Sequence, residues 1–152
     1  MWLPILKFIH ILAAIAAAGA NITYGVWIAG AASEPTVLPF VLRNIAWIDR
    51  RVANPCYGAL LVTGVLMALN LAIPLTTPWL LTAMALYVIA ALLGVFAYAP
   101  VSRQQRRILE AEGFESQAYR QVAHRSTWLG VIATMDVLMI VLLMVVKPAL
   151  WG

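Results

Sequence analysis

Residues 3–28 read LPILKFIHILAAIAAAGANITYGVWI, an apolar run that nonetheless carries Lys7, His10, Asn21, Thr23 and Tyr24. A helix that crosses a bilayer needs about 20 apolar residues, and this run supplies them. Residues three and four apart in a helix share a face, so Lys7, His10, Ala14, Ala17, Asn21 and Tyr24 fall on one seam. That seam is polar at both ends and made of alanine in the middle. Hydrocarbon penalises unsatisfied polar groups, so the seam is expected to face protein, a cofactor or water. The stretch therefore predicts a central packing helix in a membrane bundle.

The rest of the composition agrees with this. The chain has 152 residues, 64% hydrophobic and 11% charged, with a mean hydropathy of +0.91. Soluble domains carry about 25% charged residues, so the chain reads as an integral membrane protein. Its length accommodates four spans, at about 3–28, 55–73, 78–99 and 127–146, in a single domain covering residues 1–152. The fold class is all-α, a four-helix transmembrane bundle. The run ending in AAAGA has no basic segment before it and contains Lys7, so helix one is expected to be retained rather than cleaved. The single cysteine, Cys56, excludes an internal disulfide and a CxxCH haem attachment.

The connections are polar and basic. Residues 39–52, PFVLRNIAWIDRRV, mix aliphatic and aromatic side chains with Arg43, Arg50 and Arg51. They predict a short interfacial helix, with an irregular loop as the alternative. Asn54 followed by Pro55 predicts the start of helix two, since asparagine caps orphan amides and proline suits the first helical turn. Small residues at Gly58, Ala59, Thr63, Gly64 and Ala68 permit close approach of a neighbouring helix. Together with Ala14, Ala17 and Asn21 on helix one, Gly58 and Gly64 are the expected packing positions.

Pro100 marks the expected end or kink of helix three. Residues 101–126, VSRQQRRILEAEGFESQAYRQVAHRS, predict a polar helical hairpin between helices three and four, with Gly113 as a helix C-cap and Ser116 as the next N-cap. Helix four then reaches a far interface marked by Lys147 and Trp151.

Basic residues set the orientation. The first connection holds Arg43, Arg50 and Arg51, the third holds Arg103, Arg106, Arg107, Arg120 and Arg125, and the second holds none. The positive-inside rule places both termini on the outer side of a bacterial inner membrane and makes the hairpin cytoplasmic. The arginines border membrane segments, so they are expected to meet anionic lipid headgroups rather than nucleic acid.

Two buried-type polar residues stand out as chemistry. Asp136 lies near the centre of TWLGVIATMDVLMIVLLMVV, where a carboxylate costs about 2.5 to 3.5 kcal/mol to insert. It is the candidate catalytic or proton-carrying residue. Desolvation favours its neutral form. The competing expectation is a structural hydrogen bond to Asn21, Thr63 or a tyrosine. His10 sits about two turns in from the end of helix one and is the candidate axial ligand of a haem b, with Met139 or Met144 on helix four as a second ligand. Alternatively, it is simply hydrogen-bonded, or pairs with Asp136. His124 stands more than about 20 Å of helix rise away from His10, so the two cannot share one haem. No metal-binding cluster, Walker loop, GxSxG elbow or HExxH motif is present.

Three stretches carry a family resemblance: LKFIHILAA at 6–14, IDRRVANPCYGALLVTGVLMA at 48–68, and PWLLTAMALYVIAALLGVFAYAPVSRQQRR at 78–107. They resemble an uncharacterised bacterial family of four-span integral membrane proteins, distantly similar to HemJ-type protoporphyrinogen oxidase and to the membrane domain of copper-resistance protein D. That resemblance implies His10 as a haem b ligand. Helix three holds neither the lysine nor the histidine of the oxidase type, so the uncharacterised members are the nearer match. The expected role is an accessory or structural subunit of a larger membrane complex, partnered by lipids and by other subunits or a second copy. The alternatives are a haem b redox protein or protoporphyrinogen-oxidase-like enzyme using His10 with Asp136 handling protons, and a small proton-coupled transporter.

Overall fold

A computed structural model describes residues 2–150; the expected interface position Trp151 lies outside them. Among the described residues every regular element is helical. The six α-helices are α1 (Leu3–Ala32), α2 (Leu38–Ile48), α3 (Asn54–Asn70), α4 (Pro78–Leu92), α5 (Ala99–Glu112) and α6 (Gln117–Val146). They combine into four rods long and apolar enough to cross a membrane: Leu3–Ala32, Pro35–Asn70, Pro78–Glu112 and Gln117–Val146. At 1.5 Å per residue, even the 30-residue rods are about 45 Å long, well beyond the roughly 30 Å hydrocarbon core. Each rod therefore extends past the bilayer.

α1 continues to Ala32 rather than stopping near residue 28. Nothing breaks the helix before Ser33, whose side-chain hydroxyl and backbone N–H both turn back to the Gly30 carbonyl.

The second rod corrects two expectations. A 3₁₀ turn at Pro35–Val37 leads into α2, and α2 passes through a π-helical turn at Asp49–Ala53 directly into α3. The stretch expected as a short helix or a loop is helical as α2 but runs on into α3 without a break, and Asn54 makes no side-chain cap. The physical reason lies in the proline ring. In α geometry the Pro55 ring would collide with the Arg51 carbonyl, but the wider π turn displaces that carbonyl and the helix runs on. Pro100 is treated in the same way. A π-helical turn at Leu93–Tyr98 precedes it, and α4 continues into α5 without a stop. α3 itself ends at Asn70, three residues short of expectation, where Ala72 adopts a positive φ of 50°.

α5 and α6 form a hairpin about the turn at residues 113–116. Gly113 has φ 80° and ψ 173°, and the Ser116 side chain accepts the backbone N–H of Tyr119 at 3.1 Å. α6 then runs unbroken from the hairpin through Asp136 to Lys147, which closes it in the left-handed conformation.

α1 packs against α2, α3 and α6, while α4 and α5 lie along α6. The interior is narrow and built of small side chains: Ala13, Ala17, Ala20, Ala53, Ala68 and Ala83 are buried. Close approach of this kind replaces the hydrophobic effect as the source of helix association in lipid. At the basic end, Ala31, Leu38, Leu42, Leu109 and Tyr119 form one core cluster, which brings both arginine-rich connections to the same side. At the other end, Lys147 Nζ sits 5.4 Å from the Trp79 ring centroid.

Candidate functional site

The polar side chains of α1 line its contact with α3. Ala17 and Tyr24 are buried, His10, Ala14 and Asn21 are half-buried, and Lys7 at the margin is exposed. Three groups of contacts follow one another down this interface.

Nearest the termini, His10 Nδ1 lies 2.8 Å from Thr63 Oγ1, and that hydroxyl lies 2.6 Å from the Ala59 carbonyl. A threonine hydroxyl has one proton, and the carbonyl can only accept it. His10 Nδ1–H is thus the donor to Thr63, which leaves Nε2 as the unprotonated nitrogen. The imidazole fits because residue 64 is glycine: a Cβ there would stand 3.2 Å from His10 Cε1.

Midway, the Asn21 side-chain amide donates to the Ala17 carbonyl at 3.0 Å and to the Tyr57 hydroxyl oxygen. The Tyr87 hydroxyl donates to the Tyr57 backbone carbonyl at 3.0 Å, which ties α4 to α3. Asp136 approaches from α6, within electrostatic reach of Tyr57. Its Oδ2 atom is buried and has no hydrogen-bond partner among the described residues. The structural bond expected from Asp136 to Asn21, Thr63 or a tyrosine is therefore not made by that oxygen, and His10 is bonded to Thr63 instead of to Asp136.

Toward the basic end, the Tyr24 hydroxyl is likewise buried without a hydrogen-bond partner among the described residues. Asp49 stands within electrostatic reach of Tyr24, Tyr57 and Tyr98. The π turn matters here, because Asp49 is its first residue and is half-buried while Arg50 and Arg51 stay exposed.

The sequence did not single out Asp49, Tyr57 and Tyr98. A signal was present in the spacing of Asp49, Ala53 and Tyr57, four apart and so on one face. It was masked by the neighbouring arginines, which gave the whole segment an interfacial reading.

Other expected positions fall elsewhere. Gly58 is exposed, with nothing within 4 Å of an added Cβ, so it packs against nothing within this chain. Met139 is 48% exposed on the outer face of α6, because the inward positions of that turn go to Asp136 and Val137. It offers no second ligand opposite His10. His124 is exposed and accepts the Trp128 indole N–H at 3.1 Å. Of the arginines, Arg43, Arg50, Arg51, Arg103 and Arg107 are exposed, whereas Arg106 is half-buried and reaches Tyr98 electrostatically. Arg106 is thus turned at least partly inward, not wholly toward headgroups.

For a haem b, the hydrogen bond between His10 Nδ1 and Thr63 leaves Nε2 as the nitrogen that would ligate iron. Of the two methionines considered as its second ligand, Met139 is exposed and Met144 is half-buried. What the interface holds is an ordered series of hydroxyl, amide and carboxyl groups that runs from His10 to Asp49, with two buried oxygens left open.

A family model described as "Predicted integral membrane protein (DUF2269)" matches residues 4–148. Neither the curated proteins nor the solved structures contain a match.

Proposed function

The chain belongs to the DUF2269 family of predicted integral membrane proteins, and from that premise we propose that it is a proton-handling bundle serving as an accessory subunit of a larger bacterial inner-membrane complex. The observation that carries the proton reading is Asp136 Oδ2, a carboxyl oxygen buried in a membrane-spanning helix with no hydrogen-bond partner among the described residues. Ionisable groups inside the membrane are expensive to keep, and they serve relays and ion paths when they are kept. Asn21 donates a hydrogen bond to the Tyr57 hydroxyl, and Asp136, Tyr24 and Asp49 stand within electrostatic reach of Tyr57, which gathers the titratable groups of the interior around one tyrosine.

The accessory role draws support from the outer surface. Gly58 and Gly25 are exposed with open space around them, which lets a helix of another subunit approach closely. Sequence-based orientation supports a basic end in the cytoplasm and both termini outside.

Reconstitution tests the proton reading. Liposomes containing the purified chain, a trapped pH dye and an imposed potassium–valinomycin potential are expected to acidify internally, and Asp136→Asn is expected to abolish the response. Equal rates in wild type, Asp136→Asn and empty liposomes would remove the proposal. Mild-detergent purification of a tagged chain tests the accessory role, which requires a larger complex to come with it. A Soret band lost on His10→Ala would replace both readings with a haem protein.

A further inference from the structure

A second site lies on the outside of the bundle, where α4 passes into α5. The π turn at Leu93–Tyr98 and the ring of Pro100 leave a recess of about 580 Å³, lined by Val95, Phe96, Pro100, Arg103, Gln104 and Arg107. Phe96, Pro100, Arg103 and Arg107 are spaced by four, three and four residues and so form one continuous face. Along that face chemistry changes from apolar to basic. Val95 and Phe96 are 62% and 75% exposed at the membrane end, and the two guanidinium groups follow about two and three turns later. Pro100, an exposed residue between them, also lines the recess. Arg103 Nε donates to the Ala99 carbonyl at 3.2 Å, which holds the guanidinium against the helix, and its terminal N–H groups make no hydrogen bond among the described residues. No acidic residue lines the recess.

We propose that this recess binds one anionic diacyl phospholipid, with its phosphate on Arg103 and Arg107 and the upper part of its acyl chains against Phe96 and Val95. A free phosphate would use the arginines but leave the apolar half of the recess unfilled. A zwitterionic lipid would fill the apolar half but bring a second, positive charge to the arginines. An anionic lipid satisfies both, and the arginine fork matches phosphate geometry. This site is separate from the interior polar series and does not depend on it.

Native mass spectrometry of the detergent-solubilised full chain tests the assignment. The probes are dioleoylphosphatidylglycerol, dioleoylphosphatidylcholine and inorganic phosphate. The phosphatidylglycerol adduct is expected to persist, the phosphatidylcholine adduct to be lost, and phosphate to leave the bound lipid in place. Each arginine near a charged lipid contributes about fivefold in affinity, so Arg103→Gln with Arg107→Gln is expected to weaken phosphatidylglycerol binding at least tenfold. Arg120→Gln with Arg125→Gln makes the same charge change at exposed hairpin positions and is expected to alter binding less than twofold. Phe96→Ser, at an exposed position that the fold tolerates, is expected to weaken the lipid without creating phosphate binding. Equal losses from both arginine pairs would reduce the effect to diffuse surface charge. Displacement by inorganic phosphate would make it a phosphate site, and an unaffected Phe96→Ser would remove the acyl contact.

Discussion

Thr63 and Gly64 show how two adjacent residues set the position of a membrane histidine. Thr63 donates a hydrogen bond to the Ala59 carbonyl and accepts one from His10, while the absent side chain at Gly64 leaves room for the imidazole. Thr63→Val keeps the volume and removes the acceptor. Interhelical hydrogen bonds in membranes contribute about 0.6 kcal/mol on average and up to about 1.7, so this variant is expected to lose about 1 kcal/mol in detergent unfolding titrations, with Thr63→Ser close to wild type. Gly58→Ala, with open space around it, is expected to gain about 0.5–1 kcal/mol of helix propensity, and Gly64→Ala to fall short of that gain, because its Cβ would stand 3.2 Å from His10 Cε1. That shortfall is expected to shrink in a His10→Ala background. If Gly64→Ala has the same effect with and without the imidazole, the close contact is not what residue 64 provides. At this scale His10 and Asp136 were readable from the chain itself, since a polar residue in an apolar run is conspicuous on its own. Their partners were not, because Thr63 lies 53 residues from His10, and pairing across helices leaves no local mark.

Helix ends and helix breaks divide into what local chemistry dictates and what it only suggests. Gly113 and Ser116 belong to the first kind. The left-handed φ of Gly113 combined with its extended ψ is nearly closed to any side chain, and the Ser116 hydroxyl satisfies an orphan amide of α6. Gly113→Ala is expected to cost about 1–3 kcal/mol, and Ser116→Ala about 1 kcal/mol with Ser116→Asn restoring it. Thermal unfolding in detergent checks both, and an Ala at 113 with unchanged stability would mean that the turn adopts another conformation. Asn54, Pro55 and Pro100 belong to the second kind. Proline predicts a stop only if the preceding turn is α-helical, and at both sites the chain widens into a π turn instead. That choice depends on packing of the rods against α1 and α6, so it could not be read from the dipeptide. Its consequence at the first site is a change of environment, since Asp49 opens the turn that accommodates Pro55 and is half-buried there.

Four apolar rods, one per uninterrupted hydrophobic stretch, are a property of composition and length, and this is why the architecture was legible before the arrangement of helices. Which end of the bundle faces which compartment depends on charge instead. The cluster joining Leu38 and Leu42 to Leu109 and Tyr119 places both arginine-rich connections at one end, and the Lys147–Trp79 contact places the C-terminal end of α6 beside the start of α4 at the other. Eight arginines therefore lie in connections at the first end, while the turn at residues 71–77 carries no charge at all. Retention of basic loops on the cytoplasmic side is the expectation that would orient the molecule. With Cys56→Ser removing the only native thiol, single cysteines at two exposed positions, Thr76→Cys in the uncharged turn and Glu115→Cys in the hairpin, report the two faces separately. A membrane-impermeant maleimide applied to cells with a permeable outer barrier and an intact inner membrane is expected to label position 76 at once, and position 115 only after the inner membrane is opened. The reverse pattern would invert the bundle, and Asp49 would then meet the outer solution and Lys147 the cytoplasm.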